Sequence, residues 1–78
     1  MTLARLANLP EAIRCFDRVL EREPNDASVW FNKALAEDKI GRGGDAVRSY
    51  TRFIALTPGQ YANQIEHARR RLRELEGS

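Results

Sequence analysis

The sequence predicts an all-α fold built from antiparallel helical hairpins, and three observations predict it. Pro24 and Pro58 stand 34 residues apart, and the residues upstream of each fall into register. Ala12 lies on Ala46, Ile13 on Val47, Phe16 on Tyr50, Val19 on Phe53 and Leu20 on Ile54, with Glu11 on Asp45, Arg14 on Arg48 and Arg18 on Arg52. The apolar positions in each copy recur at i, i+1, i+4, i+7 and i+8, which is one face of a helix. No run of alternating polarity argues for a strand.

Taken in order, residues 3–8 read as a stub of about two turns, ended by Leu9-Pro10. A helix follows from about Pro10 to Glu23, since proline is tolerated in a first turn. Asn25-Asp26 closes that unit and offers an N-cap to a helix over about 27–40. Gly41 is placed to end it, because glycine adopts the left-handed C′ conformation without a Cβ clash. Gly43-Gly44 extends the turn, a helix covers about 45–56, and Thr57-Pro58-Gly59 breaks the chain. The last helix, about 60–76, carries Tyr61, Ile65, Ala68, Leu72 and Leu75 on one stripe.

Composition narrows the function. Seventy-eight residues suffice for one small domain and leave no room for a deep enclosed active site. The longest apolar run, Phe53 to Leu56, is far short of a membrane span, and no signal peptide is legible. One cysteine, Cys15, allows neither an intrachain disulfide nor a thiolate metal site. These features together point to the cytoplasm. Thirteen Lys+Arg against eleven Asp+Glu leave a basic excess too small to imply nucleic acid from the global field.

Residues 27–60 read ASVWFNKALAEDKIGRGGDAVRSYTRFIALTPGQ, with Trp30, Ala34, Gly41, Ala46, Tyr50 and Pro58 at telling positions. This resembles the tetratricopeptide repeat, a 34-residue helix–turn–helix unit. Residues 1–26 are similar to a truncated first copy, 27–60 to a complete one, and 61–78 to a terminal capping helix. The resemblance implies a single domain, a short right-handed α-solenoid. Lys33 and Glu37 depart from it, standing where the pattern has a leucine and a tyrosine, and Gly43 replaces a common aromatic. The last stripe falls one residue late, as though 59–61 held an insertion.

The first copy lacks the front of its first helix, and repeat units cannot bury their faces alone. An uncovered edge is therefore expected near Leu3, Leu6 and Phe16, where a second copy of the chain could pack. At about 25 cal/mol per Å², a few hundred Å² of such surface drives association by several kcal/mol before entropy costs.

The resemblance implies a non-catalytic protein-interaction module that binds a peptide or protein segment in a concave groove. With Trp30 and Ala34 turned inward, the groove side shows Ser28, Phe31, Asn32, Leu35, Asp38 and Lys39, joined by Asn63, His67 and Arg70 on the last helix. Asn32 matches a groove asparagine whose amide both donates and accepts. Phe31 and Leu35 either contact a partner or complete packing between helices. Arg69-Arg70-Arg71 could contact phosphate, but no aromatic ladder accompanies it and helical steps scatter the arginines. His67 has no ligand set around it, and no nucleophile–base pair or paired catalytic carboxylates can be argued; no cofactor, metal or catalytic residue is expected.

Overall fold

A computed structural model of the chain describes residues 8–77. Among them the fold is all-helical: α1 spans Leu9–Arg22, α2 Ala27–Lys39, α3 Gly43–Leu56 and α4 Ala62–Glu76, with no strand. The expected stub, with Leu3 and Leu6, lies outside the described residues apart from Asn8. None of the described helices is long and apolar enough to cross a membrane.

The helix ends follow local chemistry. Pro10 sits in the first turn of α1, where a missing N–H costs nothing. Asp26 caps α2, its carboxylate accepting from the Val29 N–H at 3.3 Å. Gly41, at φ 83°, turns the chain out of α2 in the left-handed conformation.

Two expectations need correcting. Gly43 and Gly44 do not extend the turn; they form the first turn of α3, which opens two residues early. First-turn N–H groups lack intrahelical partners anyway, and Asp45 beside them suits the positive end of the helix dipole. Tyr61 does not begin the stripe of the last helix either. It sits at φ 53°, half exposed, and α4 starts after it. With Gly59 at φ 86°, two left-handed residues in one short loop take up the extra length. That is the physical source of the one-residue slip in the stripe.

Connections of three to five residues force successive helices antiparallel. The contacts agree: Glu37 meets Ser49 and Phe31 meets Phe53 across α2–α3, while Tyr50 meets His67 and Phe53 meets Tyr61 across α3–α4. Phe31 and Asp38 of α2 touch His67 and Arg71 of α4, so α2 and α4 run the same way. The core is Ala34, Ala46, Tyr50, Phe53 and Ala68, with Phe31, Leu35, Ile54, Ile65, Leu72 and Leu75 packed round it. Three fully buried alanines, one on each of α2, α3 and α4, let these helices approach closely. The first helix, α1, docks through Ile13 and Leu20. Trp30 closes the α1–α2 corner half-buried, its indole Nε1 donating to the Pro24 carbonyl at 2.7 Å. The Lys33 ammonium lies 5.1 Å from the centre of its ring, and the Arg52 guanidinium 6.0 Å.

Candidate functional site

The two charged residues at inward positions of α2 are both used. Glu37 is 2% exposed, and its carboxylate accepts from the Ser49 hydroxyl at 2.7 Å. Lys33 bridges Asp17 on α1 at 2.8 Å and approaches Glu37 at 3.8 Å. A polar seam therefore ties α1, α2 and α3 where the repeat pattern has apolar packing. Burial raises the Glu37 carboxyl above its ordinary range, and the Ser49 hydrogen bond and Lys33 oppose that rise. Arg42, Asp45 and Arg48 line a depression together with the seam residues Asp17, Lys33, Glu37 and Ser49, so charges of both signs meet there.

A second charged seam locks α4. Arg71 donates from Nε and Nη2 to the two oxygens of Asp38, each at 2.6 Å, and from Nη1 to Glu74. The Tyr50 hydroxyl donates to the same Asp38 carboxylate at 3.1 Å. The Arg71 bond leads the causes that hold the Asp38 carboxyl below its ordinary range, and burial raises the Tyr50 phenol. Two expected site residues are thus engaged inside the chain: Asp38 faces Arg71 and Tyr50, and Arg71 is held by two carboxylates.

The remaining candidates do not gather in one place. Phe31 is half-buried, its ring 4.8 Å from Phe53, 6.2 Å from Tyr50 and 6.1 Å from His67, so it seals α2 against α3 and α4. Asn63 lines a shallow depression with Gly59, Gln60, Ile65 and Glu66, away from the other candidates. Ser28 and Arg70 are exposed. Cys15 is free and exposed.

Asn32, Leu35 and Lys39 come together in a cleft of about 250 Å³ between α1 and α2. Leu9, Ala12 and Phe16 form its α1 wall, and Ala36 completes the floor from α2. Phe16 was expected at a separate edge; the fold makes that edge and part of the groove one apolar cleft. The polar side chains that line it are those of Asn32 and Lys39, both exposed on the α2 side. Val19, 40% exposed, continues the apolar stripe of α1 past the cleft.

Sequence reasoning missed both charged seams. The signal for the first was the pair of charges at α2's inward positions, four residues apart. For the second it was one arginine, Arg71, set between Ala68 and Leu75 on an apolar stripe. Among the described residues no group of three His, Cys, Asp or Glu side chains is placed to hold a metal ion. Comparison with protein-family models, curated proteins and solved structures finds no match to this chain.

Proposed function

We propose that the chain is a tetratricopeptide-like interaction module that binds a segment of another protein in the cleft between α1 and α2. The observation that supports this reading is an open cleft whose wall and floor are apolar, from Leu9, Ala12, Phe16, Leu35 and Ala36, with one amide and one cation at its rim. Apolar lining supplies affinity, and a few placed polar groups supply orientation. Asn32 can pair with both a donor and an acceptor of a bound chain, and Lys39 attracts a carboxylate. The arginine cluster is a poorer candidate for phosphate, because Arg71 already binds Asp38 and Glu74.

Panning a display library of random peptides on the immobilised chain tests the reading. Enriched peptides are expected to lose binding to a variant carrying Asn32→Ala and Phe16→Ala; failure to enrich any sequence, or unchanged binding to that variant, sinks it. Self-association is the second reading, favoured by Val19, which extends the exposed stripe of α1. Light scattering over a wide concentration range decides it: a mass near twice 8.9 kDa supports a second copy at this edge, and a monomer excludes it.

A further inference from the structure

We propose that a shallow depression on the exposed side of α3 binds a small aromatic carboxylate, its ring against Trp30 and its anionic head between Arg48 and Arg52. The site shares no residue with the α1–α2 cleft, and the inference goes beyond the interaction reading.

The depression has a volume of about 340 Å³ and is lined by Trp30 from α2 and by Arg48, Thr51, Arg52 and Ala55 from α3. That is the small end of ligand cavities, about 300–1,000 Å³. The four α3 residues are exposed and recur at helical spacing, so one face of α3 supplies the wall; Trp30 is half-buried. The depression lies toward the end of the bundle that holds the α1–α2 turn. Leu9 lies beside Lys39 and Leu75 beside Gly43, both at the far end.

The groups left unspent decide the ligand. The Trp30 indole N–H is spent on the Pro24 carbonyl at 2.7 Å, so the tryptophan offers its ring and no donor. The Thr51 hydroxyl donates to the Val47 carbonyl at 2.7 Å, and Ala55 brings only a methyl. The side-chain donors that remain are the two guanidinium groups. Arg52 has no carboxylate partner among the described residues, and its guanidinium stands 6.0 Å from the centre of the Trp30 ring. Arg48 meets Asp45 at 4.0 Å with 87% of its side chain exposed, a loose pair that solvent screens. No acid lines the depression, in contrast with the charged one beside it, where Asp17, Glu37 and Asp45 stand among the cations.

A cation or a zwitterion therefore finds no counter-ion here, and an anion finds two. Arg48 and Arg52 are neighbours one turn apart, where like charges oppose each other, and a carboxylate between them relieves that repulsion. A guanidinium also matches the two oxygens of a carboxylate. Next to that head group the wall is an indole ring and a methyl, which favours an aromatic body. Because Arg52 stands over the ring, head and body must be joined directly or nearly so. An aromatic acid meets both demands.

The probe is β-naphthoate, titrated into the isotope-labelled full chain and followed by NMR. Saturable shifts are expected at the Trp30 indole N–H and at the amides of residues 48–55. The uncharged β-naphthamide should bind about tenfold more weakly, since it forfeits charge-assisted bonds. The cation β-naphthylmethylammonium should not saturate. Arg48→Gln and Arg52→Gln should each weaken naphthoate about fivefold, the scale of an exposed charge contact. Ala55→Glu sets an acid in the wall at an exposed helical position and should abolish saturation while circular dichroism stays unchanged. Absence of saturation, equal affinity for acid and amide, or indifference to these three substitutions overturns the inference. Shifts gathered on Leu9, Phe16 and Asn32 overturn it too, since the acid would then occupy the α1–α2 cleft. If naphthoate fails while a phosphotyrosine peptide saturates the Trp30 signal, the free acid is overturned in favour of a modified protein segment.

Discussion

Arg71 and Asp38 lie 33 residues apart in sequence and form a two-pronged ion pair, both bonds 2.6 Å long. The Tyr50 hydroxyl completes the arrangement from α3. A planar guanidinium matched to a carboxylate fixes direction as well as distance, so this pair sets how α4 sits against α2. Asp38→Asn should cost about 1.5–3 kcal/mol, the range for hydrogen bonds to charged groups, and Tyr50→Phe about 1 kcal/mol. A double-mutant cycle of Asp38→Asn with Arg71→Gln by urea unfolding checks the coupling; additive losses would mean the two side chains act independently.

Acid stability should follow from two carboxylates shifted in opposite directions. Asp38 titrates below its ordinary 3.8 in the folded chain, so its stabilisation is complete above 3.8 and is lost as pH falls through the folded value. Glu37 titrates above its ordinary 4.5, so the folded chain holds more protons there and stability falls as pH rises through that window. Urea midpoints from pH 3 to 7 should show Glu37→Gln flattening the decline above 4.5 and Asp38→Asn removing most of the loss below 3.8. A Glu37→Gln profile parallel to the parent's would refute the assignment.

The glycines around the α2–α3 turn should respond oppositely to alanine. A Cβ at Gly44 meets nothing within 4 Å, and the residue is helical, so Gly44→Ala should stabilise by about 0.5–1 kcal/mol. Gly41 has equal space but sits at φ 83°, and Gly41→Ala should cost about 1 kcal/mol for the left-handed conformation. Thermal unfolding of both variants distinguishes this from a Gly43-Gly44 turn outside the helix, where Gly44→Ala would bring no gain.

Two alanines at equivalent places in the repeat should differ sharply. Ala46 is fully enclosed, and Ala46→Leu should overpack the α2–α3 contact by about 1–3 kcal/mol. Ala12 opens on the cleft, and Ala12→Leu should stay within about 0.5 kcal/mol of the parent. Chemical denaturation of the pair measures the difference; equal losses would mean that the cleft is closed in solution.

What was legible in the sequence was what repeats. The helical face of Ala46, Tyr50 and Phe53 is visible twice over in the chain, and Asp26 and Gly41 carry their cap chemistry in their identity. The helix over 45–56 was placed correctly at its C-terminal end but began at Gly43, because glycine propensity argued against a helix that packing favours; the Cβ position of Gly43 is 3.4 Å from Leu75 on α4. Asp38 read as a groove residue because its partner lies on another helix, and no periodicity links it to Arg71. Phe16 and Asn32 read as parts of two sites for the same reason: only the packing of α1 on α2 makes them one.

The lone tryptophan gives the molecule a built-in but partial optical reporter. Trp30 is fixed at the α1–α2 corner by its bond to Pro24, with Lys33 and Arg52 over its ring, and the nearest links of Lys33 run to α1. Its emission should therefore register α1 lifting away. Detachment of α4, held on the other side by Arg71, should leave it almost dark, so an unfolding curve followed by indole fluorescence would trail one followed by circular dichroism if the C-terminal helix frays first.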